Sequence, residues 1–326
     1  MSGAPCVHPR ETFDLFGHQT AERVVLDAWD SGRFPHAWLL CGLKGIGKAT
    51  LAYRVARFVL AGGGEGGGLF GGAPESLAVP PDHPAARRIA AQAHADLDVV
   101  ERAWTDDKMT RRRAEIVIDD ARGIGGFLSL TPAEGGWRVV IIDSACEMNR
   151  NAANAVLKVL EEPPRNALLL LVAHAPGRLL PTIRSRCRQL TLRPLDEATV
   201  ARLLVRHRPD LPDDDRAALA RLAEGSIGRA LDLAAEGGLD LYRAMVALLD
   251  GLPRLDVPLL HAFADRVSRP GQAGALRTVG GLLGWWLARL VRAGGTNVPP
   301  PEVVPGEAAL TRRLLAAASL EHWLEV

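Results

Sequence analysis

One stretch, GLKGIGKAT at residues 42–50, constrains the fold more than any other. An apolar run, AWLLCG, leads straight into it. KATLAYRVARFVLAG leaves it with Leu51, Val55, Phe58 and Val59 spaced onto one helical face. Strand, glycine-rich loop and helix in that order are the context a phosphate-binding loop requires. Gly42, Gly47 and Lys48 satisfy G-x-x-x-x-G-K, and Gly45 adds a further position without a side chain. Such glycines let backbone N–H groups curl around phosphate oxygens, while the helix N-terminus and the lysine supply positive charge. The next position departs from the pattern. Ala49 stands where a Ser or Thr hydroxyl normally holds magnesium. Thr50 sits about 100° further around the helix and does not replace it. The candidate nucleotide-contacting residues here are Gly42, Gly45, Gly47, Lys48, Ala49 and Thr50. The loop either holds a nucleotide or is an inherited loop that stays empty.

Two further runs, WRVVIID (137–143) and ALLLLVAH (167–174), are apolar enough to be parallel strands buried on both faces. Between them NRNAANAVLKVLEEPP predicts a helix from about Asn151, stopped by Pro163 and Pro164. Strands alternating with helices predict an α/β P-loop domain with a mostly parallel sheet over residues 1–195. After Pro194 the strand signal fades. DEATVARLLVRH, DRAALARLAEG and SIGRALDLAAEGG predict short helices, with Asp or Ser near their starts and Gly at their ends. These suggest a small helical domain over 196–238 and an all-α domain over 239–326.

In VVIIDSAC (139–146), Asp143 ends the strand as a metal-holding acid should, or serves as an ordinary turn acid. A hydrolytic site usually carries Glu next, to orient and activate the attacking water. This chain has Ser144, whose hydroxyl cannot act as that base. With Ala49, two parts of a hydrolytic site are altered in separate segments. Efficient self-contained ATP hydrolysis is therefore not expected, and the chain is not expected to be an enzyme on its own.

The remaining features exclude more than they assign. A net charge of +1 gives no global field toward nucleic acid or membrane. The four cysteines, Cys6, Cys41, Cys146 and Cys187, form no CxxC pair, which points to reduced thiols in the cytoplasm. The N-terminal stretch lacks the order of a signal peptide. The longest apolar run, GGLLGWWLARLVRAGG, is interrupted by Arg289 and Arg292, so no membrane span is expected. GGGEGGGLFGG (62–72) predicts a flexible insertion.

HAWLLCGLKGIGKATLA, VVIIDSACEMNRNAANAVLKVLEEPP, LLLLVAHAPGRLLPTIRSRC and GSIGRAL occur in this order. Together they resemble the bacterial clamp-loader AAA+ family, within it the non-motor delta-prime type of DNA polymerase III subunit. The resemblance runs from residue 12 to about 232; the C-terminal third matches only in being helical. It implies an AAA+ P-loop domain, a helical lid and a helical collar that holds a hetero-pentamer together. It implies motor (tau/gamma) and delta subunits as partners, with the sliding clamp and primer–template DNA reached through the assembled complex. ATP or ADP would be bound without efficient hydrolysis.

By the same resemblance Arg186, in RSRC (184–187), is an arginine finger aimed into a neighbouring motor's ATP site. A guanidinium suits that task because its planar fork matches phosphate oxygens. Arg229, in GSIGRAL, occupies the place of the family's second sensor, where it touches nucleotide or ties lid to core. Ala173 and His174 stand where motors sense the terminal phosphate, and His174 either fills a turn or still donates a hydrogen bond. Residues 61–115 lack the four zinc-binding cysteines of many relatives. His83 and His94 alone cannot close a structural zinc site, so no zinc and no other metal is expected. For DNA, the candidate is a helix starting near IVIDDARGIGG, where Arg122 attracts phosphate and the capping Asp119 and Asp120 repel it; KMTRRRAE (108–115) is a basic cluster or a solvated loop face. In the C-terminal helices, Leu283, Trp286, Leu287, Leu290 and Val291 are expected to share one packing face.

Overall fold

The computed structural model describes residues 8–63, 74–106, 112–134, 136–268, 273–296, 298–318 and 320–325. Most of the glycine-rich insertion, the first half of KMTRRRAE and Cys6 lie outside the described residues. The chain divides into two compact units, cut between Leu195 and Asp196.

The first unit is built on a five-stranded, all-parallel sheet. Its strands are β1 (Ala37–Cys41), β2 (Leu97–Val100), β3 (Arg138–Ile142), β4 (Ala167–Ala173) and β5 (Arg188–Thr191), in the order β2-β3-β4-β1-β5. β1 lies inside the sheet, with Ala37 opposite Leu169 of β4 and Trp38 opposite Arg188 of β5. The three apolar runs read from the sequence are the three inner strands. β2 and β5 are short, half-exposed edges.

Strand alternation sends neighbouring residues to opposite faces, and both faces are covered. On one, Trp38, Leu40, Ile141 and Leu170 pack with Leu51, Val55, Phe58 and Val59 of the helix Lys48–Leu60. On the other, Leu39, Val140, Leu169 and Leu171 pack with Val156 and Leu160 of the helix Arg150–Glu161, and with Ile183 of the helix Pro181–Arg186. Burial on both sides is why these strands read as unbroken apolar runs. Asn149 starts the helix Arg150–Glu161 by accepting the Ala152 amide at 2.9 Å. That places its first residue one ahead of the expected Asn151.

The second unit is helical throughout its described residues, with eight helices from Glu197–His207 to Leu320–Glu325. Asp196 and Ser226 cap two of them, accepting the amides of Thr199 (2.7 Å) and Arg229 (3.0 Å). The helix Ala273–Thr296 buries Leu282, Trp285, Trp286 and Leu290. Trp285 stands edge-on to Tyr242, whose hydroxyl donates to Glu307. The expected face is thus rotated. Trp286 and Leu290 are buried, but Leu283, Leu287 and Val291 are only half-buried, while Trp285, outside the expected face, is buried against Tyr242.

Candidate nucleotide site and candidate arginine finger

The glycine loop joins β1 to the helix Lys48–Leu60 at the carboxyl end of the sheet. Gly42 has φ 140°, and a Cβ there would lie 2.6 Å from the Leu192 carbonyl oxygen. Gly47, with φ 104°, turns the chain into the helix. Both positions therefore need glycine. His18, also buried, braces the loop from outside: its Nε2 lies 2.6 Å from the Ile46 carbonyl. A carbonyl only accepts, so this nitrogen carries the proton. Burial lowers the His18 pKa, which suits a neutral imidazole in that role.

Lys48 is 5% exposed, and its ammonium donates to the Leu43 carbonyl within the loop. Burial pulls its pKa down to about 8, against the opposing pull of Asp143. Asp143 follows β3, its amide bonded to the Val100 carbonyl at 2.9 Å. Its carboxyl pKa is raised, first by burial and then by Glu101 beyond β2, and Lys48 works against that rise. Glu101 is itself held by Arg112 at 2.8 Å, and Arg112 lies over the Trp104 ring. Gly42, Gly45, Gly47, Lys48, Ala49, Thr50 and Asp143 thus gather at one end of the sheet. Ala49 and Thr50 are half-buried in the helix's first turn.

Ser144 takes a left-handed conformation, φ 64° and ψ 56°. A non-glycine residue there carries about 1–2 kcal/mol of strain. Its role in the turn is conformational. His174 does more than fill its turn. Its Nδ1 lies 3.3 Å from Cys146 Sγ, and its Nε2 is 3.9 Å from Glu147. Glu147 is in turn bonded to Arg102 at 2.7 Å. Burial lowers the His174 pKa, and neighbouring Lys48 pushes the same way. Nothing in the sequence pattern signals this thiol–imidazole contact or the His18 brace, because both join segments 28 residues apart.

The other candidates fall on other segments of the chain. Arg186 closes the helix Pro181–Arg186. Its Nη2 meets Glu161 at 2.9 Å, and its side chain is 37% exposed. Arg229 belongs to the second unit, where its guanidinium meets Glu224 at 3.3 Å. Arg122 is paired with Asp119 at 3.4 Å. Asp119 and Asp120 sit inside the short helix Ile118–Ala121 rather than ahead of it, and Asp120 accepts the Val117 amide. His83 and His94 each accept a backbone amide two residues on, from Ala85 and Asp96. Among the described residues no cluster of three or more His, Cys, Asp or Glu could hold a metal, and Cys41, Cys146 and Cys187 are free and buried.

The sequence profile of the family described as DNA polymerase III, delta subunit, matches residues 17–196. The chain belongs to that family. It is 37% identical over 191 residues to a DNA polymerase III subunit delta' of Pseudomonas aeruginosa, a match covering 59% of this chain and 53% of that protein. It is 31% identical over 185 residues to the subunit delta' of Bacillus subtilis, covering 56% and 50%. With subunit tau of Escherichia coli the match is 28% over 229 residues, covering 69% of this chain and 32% of that protein. The matches therefore span about half of the two delta' relatives and a third of tau. Among the described residues no helix is long and apolar enough to cross a membrane.

Proposed function

We propose that this chain is a non-motor, delta-prime subunit of a bacterial replicative clamp loader. It presents Arg186 to the ATP site of an adjacent tau/gamma-type motor subunit, and so helps place the sliding clamp on primed DNA. In this reading residues 1–195 are the AAA+ domain, 196–238 the lid and 239–326 the collar of a hetero-pentamer that also contains delta. The observation that supports the reading is a glycine loop at the carboxyl end of the sheet, with Lys48 at its helix, in which Ala49 brings no hydroxyl and Ser144 no base. The loop fits ATP or ADP: Lys48 and the amides beyond Gly47 would hold the phosphates, with Asp143 beside them. Bound nucleotide would supply a phosphate anchor rather than a reaction.

Membership of the family and the 37% likeness to a delta' subunit support the assignment. The decisive experiment is ATP turnover by the reconstituted complex with clamp and primed DNA, comparing wild type with Arg186→Ala. A large fall with assembly intact is the expected result. An unchanged rate would sink the finger role.

A motor-type ATPase is the competing reading. Its support is Glu101, a second carboxylate acting on Asp143. Glu101 is already paired with Arg112, which leaves it a poor base for water. Sustained turnover by the purified chain alone would favour this alternative, and none is expected.

A further inference from the structure

The candidate finger is already held on two sides. Arg186 Nη1 donates to the Thr182 carbonyl at 3.2 Å, one turn back along its own helix. Its Nη2 meets Glu161 Oε1 at 2.9 Å. Glu161 is the last residue of the helix Arg150–Glu161, just before Glu162 and the proline pair. An acid at that place is unfavourable by itself. The C-terminal end of a helix carries partial negative charge, and Glu162 adds another full one. A basic partner at Glu161 offsets both. The helices that carry the two residues pack through Leu160 and Ile183 in one buried cluster. The core therefore fixes the two backbone positions from which the solvated carboxylate and guanidinium reach each other.

We infer that Glu161 is a positioning residue for Arg186, ordering its guanidinium at the surface before a neighbouring subunit's triphosphate arrives. The inference rests on the trans-finger reading above. A guanidinium has five N–H donors, and Thr182 and Glu161 engage two. Three remain for phosphate oxygens. A long arginine side chain loses much rotamer freedom when it docks, and a head ordered beforehand loses less. Since Glu161 is 51% exposed and Arg186 37%, the pair is solvated and its effect is modest. A pair of this kind shifts a rate about two- to five-fold.

The test uses the reconstituted complex with four forms of this chain: Glu161→Ala, Glu161→Gln, Arg186→Ala and the double alanine variant. Glu161→Ala should lower the maximal turnover of ATP about two- to five-fold while KM for ATP stays within about two-fold. Glu161→Gln, which keeps an acceptor of the same length, should recover most of the rate. In the Arg186→Ala background, removing Glu161 should cause no further loss. Melting temperature and assembly, followed by gel filtration, should match wild type, separating positioning from folding. A turnover that is unchanged or faster in Glu161→Ala, with Arg186→Ala impaired, overturns the role of Glu161 alone. An additive loss in the double variant overturns it too, since Glu161 would then act by another route. Arg186→Ala at the wild-type rate would instead sink the finger reading itself.

Discussion

Lys48 and Arg186 are both cations suited to phosphate, and they sit in opposite settings. Lys48 is 5% exposed, bonded into its own loop, and shifted toward neutrality by burial. Arg186 stands at a helix end, more than a third exposed and paired with a solvated carboxylate. An internal cation serves only what enters its own pocket. A surface cation on a rigid helix can serve a neighbouring molecule. The difference teaches where the proposed role would lie: Ala49 and Ser144 leave the inner candidate site without a hydroxyl and a base, while the Arg186 guanidinium keeps its charge at the surface.

The comparison breaks most visibly at Arg186. Arg186→Ala should lower turnover at the adjacent motor's ATP site by about 10³-fold or more, the scale of arginine fingers in other phosphoryl-transfer systems, and the complex's steady-state phosphate release by that site's share. Lys48→Ala should weaken ADP binding to the isolated chain about 10- to 100-fold by calorimetry, the loss expected for a charge-assisted hydrogen bond. Turnover of the complex should change far less than with Arg186→Ala.

The pH dependence sharpens the inner half. Phosphate needs the charged ammonium, and the Lys48 pKa is near 8 in the folded chain. ADP affinity should therefore fall about tenfold between pH 7 and pH 9. The sign for stability is opposite. The unfolded lysine holds its proton up to the ordinary lysine value of about 10.5 while the folded one releases it near 8. The unfolded state then binds more protons, so the Lys48 contribution to stability rises with pH across that window. An ADP affinity flat from pH 7 to 9 would show that Lys48 is not the phosphate anchor. The smallest effect belongs to Ser144. Ser144→Gly should relieve the left-handed strain, raising stability by about 1 kcal/mol and the melting temperature by about 2 °C.

The sequence exposed what is buried on both faces and what obeys a spacing rule. β1, β3 and β4 were legible because strands covered on both sides must be apolar throughout. The loop was legible because only glycine tolerates Gly42's approach to the Leu192 carbonyl. β2 and β5 were not, since half-exposed edge strands carry no unbroken apolar run. The packing face of the helix Ala273–Thr296 was misplaced because periodicity gives a stripe without its partner, and here Trp285 packs against Tyr242. His18, His174 and Glu161 act across 25 or more residues, where pairwise contacts leave no local pattern.

The strand order has a consequence in time. β1, which delivers the glycine loop, is flanked by β4 and β5, and Ala37 finds its partner only at Leu169. About 130 residues must leave the ribosome before either flank of β1 can form; at roughly 5–20 residues per second that takes on the order of ten seconds. Through that interval the run Ala37–Cys41 has no strand to pair with on either side. The glycine loop that follows β1 therefore waits, for its sheet support, on strands from the far end of its unit.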